Sequence, residues 1–225
     1  MAGVIFGMTK GRWLAERRDD PWVRRARREG YPSRAAYKLK YIQSRYGLIR
    51  PGDVVIDLGA APGGMLKAAS EMVGDKGLVL GVDVRPIQVS AKNIKTLICD
   101  IFDPQAGRKI LEKLGTPRCD VIVSDASPHL SGAVEVDRLK QIDLLVRCVE
   151  IADEILRDGG NMALKAFECP ELMVVEKPLR QSFTAYKRVV TPPTLSKHSS
   201  EVYLVCLGRR SAPTAPSMKE ALMGI

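Results

Sequence analysis

The residues of this chain that could do chemistry fall into two sets. The first is a series of acids around a glycine loop. Asp57 lies in the apolar stretch VVIDL, Gly59, Gly63 and Gly64 stand in the GAAPGG that follows, Asp83 lies in LVLGVDV, and Asp100 ends TLICD. An acid at the end of a second strand can accept both hydroxyls of a ribose, and a further acid can accept from an adenine amino group. The second set is dispersed: Lys38 in SRAAYKL, Asp125 in VIVSDASP, Lys165 in NMALKAF and Glu201 ahead of VYLVCLG. A lysine late in an apolar run either snorkels to an edge or sits partly buried at a site, where burial and neighbouring carboxylates act on its basicity in opposite directions.

The glycine loop narrows the ligand. It has the spacing G-x-x-x-G-G rather than G-x-G-x-x-G, Pro62 removes one backbone N–H from a potential pyrophosphate cradle, and no G-K-[ST] follows for a nucleoside triphosphate. The order acid, glycine bend, acid, acid suits S-adenosylmethionine, whose sulfonium and amino-acid end tolerate acidic surroundings. Any one of these aspartates alone serves equally well as a helix or turn cap, and a dinucleotide oxidoreductase is the remaining alternative.

Elements that would position these residues are visible after Pro51-Gly52. Short apolar, β-branched runs at 54–58, 78–84, 96–99, 121–124, 161–167 and 202–207, with a weaker one at 186–190, alternate with helix-length runs at 65–73, 105–114, 136–156 and 172–182. In the third of these helices Val136, Leu139, Ile142, Leu145, Val149, Ile155 and Leu156 recur at helical spacing, and Gly159-Gly160 supplies a stop. Alternating strands and helices imply an α/β fold with a largely parallel sheet covered on both faces. The last strand follows its predecessor through Pro192-Pro193 without an intervening helix, so it is expected to be antiparallel. Glu201 would then start that strand at the edge where the strands bearing Asp125 and Lys165 end.

Composition sets the partner class. At 225 residues and 45% hydrophobic, the chain can bury the core of one domain, and no apolar run is long enough for a membrane span or a secretory signal. A soluble, cytoplasmic monomer is expected. Five dispersed cysteines and two histidines, His129 and His198, indicate neither a disulfide framework nor a metal site. The net charge of +9 is confined to residues 1–50, which hold 13 Lys and Arg against 4 Asp and Glu, the remainder being balanced. Arg17, Arg18, Arg24, Arg25, Arg27, Arg28, Arg34, Lys38 and Lys40 are interleaved there with Trp13, Trp22, Tyr31, Tyr37 and Tyr41. That pattern suits phosphate neutralisation with base stacking on a nucleic acid; a solvated helix face or a membrane-surface helix is the alternative.

SRAAYKL, DLGAAPGG, VIVSDASP with its following SG, ALKAF and SSEVYLV resemble, in order and spacing, the FtsJ/RrmJ family of RNA ribose 2′-O-methyltransferases, over about residues 20–210. The resemblance implies a Rossmann-like methyltransferase fold with a mostly parallel seven-stranded sheet and an antiparallel last strand. It implies a basic RNA-binding extension over 1–50, a catalytic domain over 51–210 and a loose tail over 211–225. It carries a catalytic tetrad onto Lys38, Asp125, Lys165 and Glu201. Cofactor-binding roles fall on Gly59, Gly63, Gly64, Met65, Asp83, Asp100 and Asp125, with no metal required. RNA contact falls on Arg24, Arg25, Arg27, Arg28, Arg34 and Lys38. Two positions depart from the family pattern, Met65 where tryptophan is common and His129 where asparagine is common. The implied reaction is methyl transfer from S-adenosylmethionine to a uridine ribose of large-subunit ribosomal RNA. A transfer RNA methyltransferase of the same superfamily and a noncatalytic RNA-binding ribosome-assembly factor are the alternatives.

Overall fold

Seven strands form one sheet in the order β3-β2-β1-β4-β5-β7-β6. In the computed structural model, which describes residues 20–128, 131–192 and 200–211, they are β1 (Val54–Leu58), β2 (Leu78–Asp83), β3 (Ile94–Ile98), β4 (Cys119–Ser124), β5 (Leu156–Phe167), β6 (Phe183–Val189) and β7 (Glu201–Arg209). Arg17, Arg18, Trp13, His129, His198 and residues 212–225 lie outside the described residues. The pairs β1–β2, β1–β4, β2–β3 and β4–β5 are parallel, whereas β7 runs antiparallel to both β5 and β6. Phe167 pairs with Glu201, so β7 does begin at the edge where β5 ends. The chain order reverses between β1 and β4, which places a topological switch point at their carboxyl ends.

Side-chain alternation decides which face each functional residue occupies. Val55, Val79, Val121, Val123, Ala163, Tyr203 and Val205 share one apolar layer, while Ile56, Leu80, Ile122, Met162, Leu164 and Leu204 belong to the other. Asp57, Asp83, Lys165 and Glu201 have the parity of the first layer and therefore lie on one side of the sheet. That side is covered by three helices, α1 (Pro21–Arg28), α2 (Ala35–Tyr46) and α3 (Gly64–Val73); the opposite layer packs against α4 (Ala106–Leu114), α5 (Val134–Ile155) and α6 (Met173–Ser182). Among the described residues no helix is long and apolar enough to cross a membrane.

The two helices of the basic segment have local causes. Asp20 caps α1, accepting from Trp22 N at 2.8 Å and Val23 N at 3.4 Å, and Pro21 occupies the first turn, where its missing N–H costs nothing. Arg25, Arg27 and Arg28 in its last turn complement the helix dipole. Helix α2 ends on Gly47 in the left-handed region. Just beyond, the Gln43 amide is bonded to both the N–H and the carbonyl of Ile49, at 2.8 and 2.7 Å, which fixes the approach to β1.

Two expectations are corrected by the order of α5 and β5. The helix ends at Ile155, one residue before the expected end at 156, and what stops it is not Gly159-Gly160 but Leu156, which turns extended (φ −76°, ψ 131°) and begins β5 directly. The glycines lie inside that strand, beside the register shift between Cys119 and Val121. In α5 itself, Ile142, Leu145 and Val149 are buried, but Val136 and Leu139 stay 45% and 58% exposed. The first turns of the helix thus precede its contact with the core.

Candidate active site

Four side chains converge on the carboxyl edge of the sheet. Lys38, on α2, places its Nζ 2.7 Å from Glu201 Oε1 and 3.0 Å from Asp125 Oδ1. Lys165, near the end of β5, donates to the main-chain carbonyl of Asp125 at 2.6 Å, and its Nζ is 3.3 Å from Asp125 Oδ1. Lys165 therefore does not snorkel to an edge. The side chains of Lys38 and Lys165 are only 4% and 7% exposed, against 23% for Asp125, so the cluster opens to solvent at Asp125.

Two ammoniums and two carboxylates balance in charge, which makes their shared burial tolerable. Burial acts to raise the Asp125 carboxyl, but Lys165 and Lys38, with hydrogen bonds from Tyr203 and Lys38, outweigh it and hold the group well below the usual carboxylate range. Tyr203 is a member the sequence reading did not name. Its hydroxyl donates to Asp125 Oδ1 at 2.6 Å, and Lys38 Nζ stands 5.7 Å from the centre of its ring. Burial, followed by Asp125 and Glu201, pushes its phenol well up, so the hydroxyl keeps its proton and donates to Asp125. The available signal was the spacing Glu201-Val202-Tyr203: two residues along a strand return to the same face.

Other positioning groups were also missed. Asp137, in the first turn of α5 and nearly fully buried, accepts from Ser131 N and Ser131 Oγ, both at 2.7 Å, and from Gly132 N at 3.0 Å. It thereby ties down the far end of the segment that leaves β4 at Asp125. Gln141, also on α5, donates to the carbonyl of Lys165 at 3.3 Å.

The glycine loop lies at the neighbouring end of β1. Gly59 has φ +74°, and a Cβ there would lie 2.5 Å from the Cβ of Ala126; Gly63 has φ +109°, and a Cβ would lie 2.3 Å from Val89 Cγ2. Only glycine meets both demands at each position. Asp83 accepts from Ala61 N and Arg85 N, each at 2.9 Å, which fixes its carboxylate beneath the loop. Asp100 is exposed two residues past β3, its Oδ1 accepting from Phe102 N at 3.0 Å. Gly64 opens α3 and packs so tightly on Ser33 that a Cβ would lie 2.1 Å from its Oγ. Met65 is buried among the apolar side chains between α3 and the sheet.

Among the proposed RNA contacts, Arg24, Arg27 and Arg28 are exposed on α1 and form no ion pair among the described residues. Arg25 pairs with Glu29 at 2.7 Å, and Arg34 with Asp20. Lys38 belongs instead to the buried cluster with Asp125 and Glu201. Among the described residues Trp22, Tyr31 and Tyr37 do not form an open stacking platform: Tyr31 and Tyr37 are buried, and Trp22 packs on Tyr37 with ring centroids 5.3 Å apart.

A sequence profile described as FtsJ-like methyltransferase matches residues 31–209 of the chain. The chain belongs to the FtsJ-like methyltransferase family. It is 44% identical over 195 residues to the ribosomal RNA large subunit methyltransferase E of Methanothermobacter thermautotrophicus, which covers 86% of this chain and 92% of the relative. A relative of the same name from Coxiella burnetii is 37% identical over 198 residues, covering 86% and 92%. In fold, the chain is similar to a crystal structure of a ribosomal RNA methyltransferase from Plasmodium falciparum, with a TM-score of 0.71, 22% identity and coverage of 80% of this chain and 98% of that one.

An FtsJ-like methyltransferase implies S-adenosylmethionine as methyl donor, and the residues present fit it. Gly63 leaves the first turn of α3 without a side-chain cap, so its N–H groups are open to a ligand carboxylate. Asp83 and Asp100 retain acceptor capacity beyond the bonds they already make. Asp57 is 1% exposed, with no side-chain donor on its carboxylate among the described residues and only the Leu66 N–H directed at it, and burial, with Asp125 and Asp83 nearby, pushes its carboxyl well up. A buried acid beside the loop is the complement of a cationic ligand.

Proposed function

We propose that the chain transfers a methyl group from S-adenosylmethionine to a ribose 2′-hydroxyl of large-subunit ribosomal RNA, with uridine the expected nucleotide. The observation that carries this reading is the convergence of Lys38, Asp125, Lys165, Glu201 and Tyr203 at the switch point, next to the glycine loop. The name borne by the relatives supports ribosomal RNA as acceptor. The proposed setting is the cytoplasm, with the chain acting as a monomer on ribosomal RNA or the large subunit. In the proposed organisation, residues 1–50 bind RNA, 51–210 catalyse, and 211–225 form the tail.

Bound S-adenosylmethionine supplies an electrophilic methyl group whose leaving group is a neutral thioether. The protein's task is to bring an oxygen nucleophile to it, so positioning contributes much of the rate. Lys165, after yielding its ammonium proton to solvent, takes the proton of the 2′-hydroxyl as that oxygen attacks. The resulting ammonium is stabilised by the Asp125 carbonyl at 2.6 Å and Oδ1 at 3.3 Å. Tyr203 fixes Asp125 in the orientation that does this, while Glu201 holds Lys38 against the same carboxylate. A 2′-hydroxyl acceptor restricts the substrate to RNA. Asp83 and Asp100 would hold the ribose and adenine of the cofactor, and Gly59, Gly63, Gly64 and Met65 would form its bed.

The test is incubation with isotopically labelled S-adenosylmethionine and separate ribosomal and transfer RNA fractions. Label in ribosomal RNA is expected. Label in transfer RNA alone would make the chain a transfer RNA enzyme, and label in neither would favour a binding factor.

A further inference from the structure

The exposed arginines of α1 are not equivalent. Successive helical residues are rotated by about 100°, so residues 24, 27 and 28 fall within one arc of about 100° and residues 22 and 26 lie opposite them. Trp22 and Ala26 pack toward the body of the protein, against the layer containing Tyr31 and Tyr37. Arg25 lies at the flank of that inner face. Its guanidinium is 2.7 Å from Glu29 Oε1 and stacks 4.8 Å from the ring centre of Tyr37, whose hydroxyl donates to Glu29 at 2.8 Å. Arg25, Glu29 and Tyr37 thus close a triangle internal to the fold. Among the described residues the outer face carries Arg24, Arg27 and Arg28, and the adjacent acids Asp20 and Glu29 are already engaged by Arg34 and Arg25.

We propose that Arg24, Arg27 and Arg28 grip consecutive backbone phosphates of a base-paired RNA segment that flanks the target nucleotide, while Arg25 is part of the fold. This rests on the reading of the chain as an RNA methyltransferase. Three guanidiniums without acids neutralise phosphate and release counterions. Among the described residues the face has no aromatic side chain to supply the base stacking that holds a single strand; contact to phosphate and shape is how a double helix is held. Its position makes it a flank anchor rather than a reader of the target, because α1 packs on Tyr37 and the next residue, Lys38, enters the catalytic cluster.

The experiment uses the full chain with two synthetic RNAs of equal length and composition, one a hairpin and one unpaired, and measures affinity across a salt series. The combined variant Arg24→Gln, Arg27→Gln, Arg28→Gln is expected to lower the slope of log affinity against log salt on the hairpin by about 2 to 3, corresponding to three lost phosphate contacts. Arg25→Gln is expected to leave that slope intact and to lower the melting temperature. The intact chain is expected to bind the hairpin about tenfold more tightly than the unpaired strand. An unchanged slope in the triple variant, an equal slope loss from Arg25→Gln, or equal affinity for the two RNAs would each overturn the proposal. Methyl transfer by the intact chain, measured separately, reports on the enzymatic reading, so failure of either is seen without the other.

Discussion

Lys165 and Tyr203 are register partners across the β5–β7 ladder, and both reach Asp125: the ammonium donates to its main-chain carbonyl and the phenol to its Oδ1, each at 2.6 Å. The backbone pairing of an antiparallel strand thereby fixes the distance between a proposed base and the donor that orients its partner. Because the ladder itself sets this geometry, substitutions should separate chemistry from binding.

Lys165→Ala is expected to reduce methyl transfer by about 100-fold or more, the usual contribution of a positioned proton acceptor, while cofactor affinity stays within about twofold. Single-turnover kinetics and equilibrium titration with S-adenosylhomocysteine check the two halves.

Tyr203→Phe keeps the buried ring and removes one hydrogen bond to a charged group, a loss of about 1.5 to 3 kcal/mol in stability. The expected kinetic signature is a lower kcat with little change in KM, since the lost contact orients Asp125 rather than RNA. Thermal unfolding and steady-state rates on one preparation test it.

Asp57→Asn should raise the melting temperature of the protein at neutral pH and weaken cofactor binding. The folded carboxyl lies well above the unfolded value, so its contribution is fully present below the unfolded pKa and is lost as pH rises toward the folded one. Asparagine removes that loss and also the negative charge available to a cationic ligand. Melting curves across a pH series that starts below the ordinary carboxylate range and rises through neutrality, with calorimetric binding, would reveal both.

Asp125 predicts the opposite dependence. Its carboxyl is held down to about 2, so its stabilisation is complete above the unfolded carboxylate range and disappears as pH falls toward that value. Acid unfolding of Asp125→Asn should therefore be shallower than that of the parent below about pH 4.

Asp137→Asn weakens three hydrogen bonds to Ser131 and Gly132. Its predicted effect is a KM for RNA raised by about threefold to tenfold, about 0.7 to 1.4 kcal/mol, with Asp137→Glu restoring part of it. Parallel kinetics on the two variants decide.

Much of this architecture was legible in the sequence because strands in an α/β sheet are short apolar runs. Strand β1 falls on the expected residues, and Glu201 meets the end of β5 because a strand joined to its neighbour without a helix must turn back. The resemblance named the tetrad, and the fold brings it together. What the sequence concealed depends on tertiary context. Trp22, Tyr31 and Tyr37 look like a stacking surface among arginines, yet they are the apolar face by which the basic segment docks. Asp20-Pro21 was a helix start that went unread. Tyr203 was hidden inside an apolar run, since only strand pairing places its hydroxyl over Asp125.

The central claim is that Lys165 activates a ribose 2′-oxygen, and the site of the methyl group on the product RNA tests it most directly. Mass spectrometry of nucleosides from ribosomal RNA treated with the intact chain should find the added methyl on ribose, in a uridine, and should find it strongly diminished over the same time with Lys165→Ala. A methyl group on a base, or undiminished ribose methylation by Lys165→Ala, would contradict the account.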